Sequence, residues 1–401
     1  MMQSAVSYDD RPIAQTHPAL LARTARSWGL RPADSERARV LEVGCAHGVN
    51  LMAMAARMPD AAFVGLDIDA ACIEVARARA RDAGLPNVSF EHADVVAYRA
   101  GQTFDYVIAH GVLSWVSAEA GDAIFRLCDE GLSPQGIAYI SYDAKPGACL
   151  RDALGLGLRA SNDAEAALAM LRGNSALAGS LQGAWLDAEI DAVRSQPRSY
   201  LQQRFLSPHQ RAFAVSEVWD WAARHGLQYV DDVAETGLDP SAVQSVRADA
   251  AAQTPDRRSA EQLLDTAILR QFRASVFTRS SAALEPAPVP EPKAVSNDVP
   301  RMPRVHALSR LEARELGFVS TVPHGFRPLH PLHAMLVEAL DGTRDIEALA
   351  SLVVDGVADG TLSLPTADGS PASVEEARAG APIVVEAALR ELGAAGLFVP
   401  S

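Results

Sequence analysis

Cysteine is scarce in this chain. Cys45, Cys72, Cys128 and Cys149 are its only four in 401 residues, and no two form a Cys-x-x-Cys pair. That argues against a structural zinc site or a disulfide framework and suits a reducing compartment. Basic clusters are missing as well. Lys and Arg total 36 against 50 Asp and Glu, a formal net charge of -14, which repels a phosphate backbone and speaks against a nucleic-acid partner. The N-terminal MMQSAVSYDDRPI has no apolar segment behind a basic start, and no stretch reaches the roughly 18 apolar residues of a membrane span. His330 and His333 have no third ligand in the pattern, so no metal is expected. The expectation is a cytoplasmic protein without membrane insertion, its oligomeric state left open, and long enough for two or three cores at roughly 100 to 200 residues each.

Short apolar strands alternate with helical patterns through the first part of the chain. Arg39–Val43 reads as a strand running into the small-residue turn Gly44–Gly48 and the helix NLMAMAARM. Ala62–Leu66 ends at Asp67 before the helical AACIEVARARARDAG, for which Gly84 is the stop. Val88–His92, Phe104–Ala109 and Ile137–Ser141 read as further strands, with a helix over Ala118–Glu130. This alternation predicts a parallel sheet covered on both faces. From residue 151 the chain turns into Ala- and Leu-rich helix. A helix over Val215–His225, the strand Leu227–Val233, a helix over Glu261–Arg270 and the strand Phe272–Thr278 follow, bringing the sheet to seven strands.

Residues 281–303 hold six prolines without apolar periodicity and predict a semi-extended linker. Beyond it, helical HPLHAMLVEAL and IEALASLVVDGVADG, a hairpin around Asp368–Gly369 and a last helix ending at Gly396 suggest a winged-helix-like arrangement. Its 7 Lys and Arg against 13 Asp and Glu disfavour DNA binding. The predicted organisation is α/β: a Rossmann-like core over 1–150, a helical insertion over 151–206, completion of the sheet over 207–280, the linker 281–303 and the C-terminal domain 304–401.

The chemistry gathers at the strand tips. In Glu42-x-Gly44-x-Ala46-x-Gly48 the small residues let the backbone approach a ligand at a helix start. A dinucleotide fingerprint would want glycine at 44, 46 and 49, yet Ala46 and Val49 stand there, so a pyrophosphate fits poorly. S-adenosylmethionine carries an amino-acid end instead of phosphates and suits this turn. Asp67 follows Gly48 by 19 residues and can accept both ribose hydroxyls. The candidate cofactor residues are Glu42 toward the methionine end, Gly44, Cys45, Ala46, Gly48, Asn50, Asp67 with Ile68, Asp94 with Val95 at the adenine edge, and His110. Candidate catalytic residues are His110, Trp115 as a wall of the acceptor pocket, Tyr142 and Asp143, with Tyr8 in the N-terminal arm as a cover. Metal-binding residues: none.

With these residues in view the chain resembles a known family. QTHP (Gln15–Pro18), LEVGCAHGVNL (Leu41–Leu51), FVGLDID (Phe63–Asp69), FDYVIAHGVLSWV (Phe104–Val116) and YISYDAKPG (Tyr139–Gly147) resemble class I methyltransferases with a methyltransferase regulatory domain, and EQLLDTAILRQFRASVF (Glu261–Phe277) fits the end of their catalytic part. The subgroup with a winged-helix-like tail includes bacterial protein-lysine methyltransferases such as those that modify rickettsial outer-membrane proteins. The chain departs where relatives read SYNTxPGW: Asp143 replaces an amide and Ala148 an aromatic. The resemblance implies S-adenosylmethionine as cofactor, S-adenosylhomocysteine as product, and a protein or peptide substrate, basic or lysine-bearing. Methylation of a small molecule or peptide natural product, and a non-catalytic scaffold of the same fold, are the alternative readings.

Overall fold

The computed structural model describes residues 11–195, 205–233, 238–288, 299–321, 325–366 and 370–398. The seven strands are β1 Arg39–Val43, β2 Ala62–Asp67, β3 Val88–His92, β4 Phe104–Ala109, β5 Leu132–Asp143, β6 Leu227–Asp232 and β7 Phe272–Arg279. They form one sheet in the order β3-β2-β1-β4-β5-β7-β6. The pairs from β3 to β5 are parallel, while β7 runs antiparallel to both β5 and β6. The tips of β1, β2, β4, β5 and β6 therefore share one edge, with the start of β7 inserted between β5 and β6. Because β1 lies between β2 and β4, the connection after it turns one way and that after β3 returns the other, which opens a crevice at the tip of β1.

Helices cover both faces, as the near-continuous burial of the central strands demands. On one face α1 (Pro18–Arg26), α2 (Val49–Ala55) and α3 (Ala70–Asp82) bury Leu21, Met52 and Ile73 against Val40, Tyr106 and Tyr139. On the other, α4 (Ala118–Gly131) and α8 (Val215–Arg224) bury Phe125 and Trp221 against Val107, Ile140 and Phe277. Between β5 and α8, the helices α5 (Cys149–Ala160), α6 (Ala164–Leu171) and α7 (Leu181–Arg194) share a small core of Leu154, Leu158, Leu168, Ile190 and Val193. The helix expected over Glu261–Arg270 starts earlier, as α10 (Arg257–Ala267), because Asp256 caps it by accepting from Ser259 N at 2.8 Å. It is preceded by α9 (Pro240–Ala252), whose alanine-rich, weakly amphipathic sequence gives little periodic signal.

The C-terminal domain holds more than its sequence pattern suggested. Helix α11 (Ala307–Leu316) and an antiparallel pair, β8 (Phe318–Thr321) with β9 (Gly325–Pro328), precede α12 (Pro331–Ala339), α13 (Ile346–Asp359) and α14 (Val374–Ala394). Strands of four residues are too short to register as alternation. The expected hairpin tip at Asp368–Gly369 lies outside the described residues, although Pro365 and Pro371 beside it pair as an antiparallel bridge. The first part of the Pro-rich segment is docked on the core, with Glu285 and Ala287 donating to the carbonyls of Trp28 and Ser27 at 3.0 and 2.9 Å. Arg57, just past α2, ties the C-terminal domain down by donating to the carbonyls of Ser320 (2.6 Å) and Gly396 (3.1 Å). Beneath that contact Glu312 is buried and accepts from Ser320, and burial raises its carboxyl to about 7. Among the described residues no helix is long and apolar enough to cross a membrane.

The antiparallel insertion of β7 rests on Arg273, which is 0% exposed. Its guanidinium meets Asp265 at 2.8 Å, Glu261 at 2.9 Å and also Asp232, while Arg270 pairs with Asp265 at 2.8 Å. Removing one member of such a buried ionic cluster costs about 3–5 kcal/mol, because the remaining charges stay desolvated and uncompensated. Even beside two guanidinium groups, burial raises Asp265 to about 6. Carboxylates raised in the folded state destabilise it as pH climbs past their unfolded value. Arg273→Ala should therefore unfold at a lower urea midpoint than the parent, with a deficit larger at pH 8 than at pH 5; a deficit under about 1 kcal/mol at pH 8 would contradict this role.

Candidate functional site

The site is built where β1 ends. Glu42 is the fourth residue of β1 and sits between Gly65 of β2 and Ile108 of β4. A carboxylate there is flanked by strands on both sides and buried at 4% exposure. Its Oε1 accepts from Asn50 Nδ2 at 2.8 Å, while Oε2 has no hydrogen-bond partner among the described residues. Burial is the main cause that raises its carboxyl to about 7; the Asn50 bond lowers it, and the negative charge of Asp67 adds to the rise.

The turn after β1 is held open by glycine at two positions that no side chain could occupy. Gly44 and Gly48 adopt φ of 74° and 73°, and a Cβ at either would lie 2.5 Å from Val112 Cγ2 or 2.4 Å from the Phe90 ring. Between them Ala46 also has a positive φ, of 46°. Asp67 fixes this unusual turn: one carboxylate oxygen accepts from Ala46 N at 2.8 Å and the other from Asp69 N at 2.9 Å. Each oxygen keeps a second lone pair for a ligand hydroxyl. Cys45 is buried under the turn, where burial and the charges of Glu42 and Asp67 push its thiol well up, so it is an inert packing residue.

Beside Asp67 the side chain of Ile68 is 68% exposed. The tips of β2 and β3 are joined there by Ala93 N donating to Asp67 O at 2.9 Å, and His92 Nε2 lies 3.1 Å from Ile68 O. Asp94 is exposed and caps the following turn by accepting from Val96 N at 2.9 Å; Val95 packs partly into the second core. An exposed aliphatic plate bounded by two carboxylates suits the flat face of a nucleobase with its ribose at Asp67.

On the far side of the cradle, His110 closes β4. Its Nδ1 is 2.9 Å from Tyr139 Oη and 3.3 Å from Ser141 Oγ, and its ring packs against those of Tyr139 and Phe272. Burial, with the positive charge of Arg11 second, lowers its pKa to about 4. The ring is neutral at pH 7 and too weak a base to deprotonate an ammonium near 10.4. Burial thus disfavours His110 as a general base. A Cβ on Gly111 would meet nothing within 4 Å, so the backbone next to His110 faces open space. Trp115 is half-buried at the start of the loop into α4, where its carbonyl accepts from Ser207 at 3.3 Å.

Of the expected acceptor-side residues, Tyr142 is not brought to this opening, whereas Asp143 pairs with Phe272 on the Tyr139 side of β5. Tyr142 is 1% exposed and lies in the core of the α4/α8 face, edge-on to Phe213, with its hydroxyl 3.4 Å from Ser275 Oγ. Period-two alternation puts it on the opposite side of β5 from Tyr139. Asp143 is also 1% exposed, enclosed where its backbone bonds Ser114 and Phe213. Tyr8 lies outside the described residues. Sequence reasoning missed Tyr139, Phe272, Thr16 and Ile13. Tyr139 was legible as the inward partner of the His110 position on a neighbouring strand; the others become visible only through tertiary contact.

Comparison with known proteins agrees with this architecture. Three family models match in chain order: a methyltransferase domain over residues 40–136, a predicted methyltransferase regulatory domain over 197–279, and a PKMT C-terminal winged helix domain over 302–397. Two uncharacterised proteins of Rickettsia prowazekii (strain Madrid E) are similar. One is 30% identical over 289 residues, 68% of this chain and 51% of its own length; the other is 35% identical over 148 residues, 35% of this chain and 59% of its own. The chain thus spans about half the length of the curated relatives it matches. Among solved structures, PKMT2 from Rickettsia typhi in complex with AdoHcy superposes with a TM-score of 0.84 at 17% identity, covering 98% of this chain and 100% of that one. The chain thus has the class I methyltransferase fold and matches, in order, the family models of a methyltransferase domain, a methyltransferase regulatory domain and a PKMT-type winged helix.

Proposed function

We propose that this protein transfers the methyl group of S-adenosylmethionine to a lysine side chain of a protein substrate. The observation that carries the reading is Glu42: a buried carboxylate with an oxygen unpartnered among the described residues, at a turn that needs glycine at 44 and 48, one strand away from Asp67. A buried acceptor of this kind demands a cationic or donor group from a ligand. The ammonium of the cofactor's methionine end supplies one, Asp67 takes the ribose hydroxyls, and the Ile68 plate with Asp94 takes the adenine. Gly44, Ala46 and Gly48 let the backbone come close to the ligand, and Asn50 holds the Glu42 carboxylate in place.

When bound, the cofactor supplies an electrophilic methyl on a sulfonium, so the protein's part is to align an amine with it and exclude water. An aqueous lysine is neutral in about one molecule of 2,500 at pH 7, a penalty of roughly 4.6 kcal/mol. His110, held neutral by burial, does not relieve this by taking the proton. Its ring, Tyr139 and Phe272 form an aromatic cluster beside the open backbone at Gly111, which desolvates the amine and lowers its pKa. Support for lysine as acceptor comes from the PKMT-type domain and the name of the rickettsial structure, and support for a basic partner from the charge of -14.

The direct test is incubation with methyl-labelled S-adenosylmethionine and lysine-bearing proteins, followed by hydrolysis and amino-acid analysis. Label should appear as methyllysine, and Asp67→Ala should lower it at least a hundredfold; label confined to small molecules or to other residues would overturn the lysine assignment. Across pH 6 to 9 the rate should climb with the acceptor amine's own deprotonation. His110→Phe should slow turnover without moving that climb, whereas a shifted profile would restore a proton-transfer role to His110.

Glu42 gives an opposed pair of expectations. Its carboxyl is raised from 4.5 to about 7 in the folded state, so the ligand-free protein loses stability as pH rises through that window. Glu42→Gln should stabilise the ligand-free protein on the order of 1–3 kcal/mol at pH 8, with the gain fading towards pH 5. The same change should weaken cofactor binding at least tenfold. Thermal midpoints across pH and calorimetric titration check the two halves separately.

A further inference from the structure

The methionine end of the cofactor is a zwitterion, and Glu42 answers only its ammonium. The carboxylate needs donors of its own, and several N–H groups of the cradle are already committed. The N–H groups of Gly44 and Cys45 both donate to Leu66 O, at 2.8 and 3.0 Å, and that of Gly48 to Cys45 O at 2.8 Å. Ala46 N–H is given to Asp67, and on the β4 side Gly111 N–H is given to Ser141 Oγ at 2.8 Å. At the strand tips Asp67 and Asp94 are acidic and repel a carboxylate, and burial disfavours the charged form of His110.

A cation reaches the site from another element, the N-terminal arm. Ile13 N donates to Asn50 Oδ1 at 2.9 Å, and Thr16 Oγ1 receives Asn50 Nδ2 at 2.9 Å, so the same amide that holds Glu42 also latches the arm. Thr16 and Asn50 are buried, as is Pro12 one residue before Ile13. Arg11 stands two residues before the latch, within about 7 Å of chain, and its positive charge acts on the His110 ring across the cradle from Glu42. A guanidinium there offers the planar, paired donors that a carboxylate prefers.

We infer that Arg11, delivered by an N-terminal arm latched through Asn50, binds the carboxylate of the cofactor's amino-acid end. The assignment rests on the cofactor reading above and adds to it a ligand contact from outside the methyltransferase sheet. It makes the arm part of the binding site, completing a subsite in which Glu42 and Arg11 read the two charges of one α-amino acid.

Calorimetric titration with two ligands isolates that contact. S-adenosylhomocysteine carries the amino-acid end; 5′-methylthioadenosine shares the adenosine but lacks it. Arg11→Ala should weaken S-adenosylhomocysteine at least tenfold and change 5′-methylthioadenosine less than twofold, and Arg11→Lys should recover part of the loss. Unchanged S-adenosylhomocysteine affinity, or an equal loss for both ligands, would overturn the role. Asp67→Ala should weaken both ligands, which separates the two ends of the site. If the parent protein binds neither ligand, the cofactor reading itself fails; if it binds both but only Arg11→Ala is silent, the cofactor reading stands and the Arg11 assignment falls.

Discussion

A carboxylate buried between parallel strands is the constraint around which this site is arranged. Glu42 is buried at 4% exposure, so leaving either of its oxygens unanswered is costly. Asn50 answers one, and in doing so binds the tip of β1 to the first turn of α2 and to the N-terminal arm. The other is left without a partner among the described residues. A site that keeps a buried acid half-satisfied sacrifices stability in the ligand-free state and gains selectivity for a ligand that brings a cation.

Helix α2 carries this arrangement further than its seven residues suggest. Its N-terminus is the glycine turn, its first turn holds Asn50, and just beyond its C-terminus Arg57 grips two carbonyls of the C-terminal domain. Leu308, Leu311 and Phe318 of that domain join the same core as Met52 and Ile73, and Arg79 of α3 reaches Glu315 at 3.6 Å. The winged-helix domain is thus seated on the two helices that follow the cofactor strands, with its anchor one helix length from the cradle. On the other edge, the Arg273 cluster lets an antiparallel strand enter the sheet and brings Phe272 against His110.

Much of this was legible in the sequence. Glycines at 44 and 48 after an apolar strand, and a carboxylate at the tip of the next, follow from local chemistry, and the structure needs those residue types for the reasons that made them conspicuous. Seven strands were legible for the same reason, because buried parallel strands are written as short apolar runs. The direction of β7 was not, since a strand's sense depends on the connection before it. Tyr142 misled because proximity to a strand tip does not say which face a side chain takes; one residue of register moves it from the cleft to the core. Thr16, Asn50 and Glu42 form one hydrogen-bonded chain across 34 positions of sequence, and no local pattern encodes that pairing.

The measurement closest to the central claim is the proton balance of cofactor binding. Titrating S-adenosylhomocysteine into the protein at pH 7, in buffers of different ionisation enthalpy, reads protons released per ligand bound. With the Glu42 carboxyl near 7 when free and ionised against the ligand's ammonium, about half a proton should be released, and none from Glu42→Gln. Binding without proton release, or release that persists in Glu42→Gln, would contradict the account and place the ligand's charged end elsewhere.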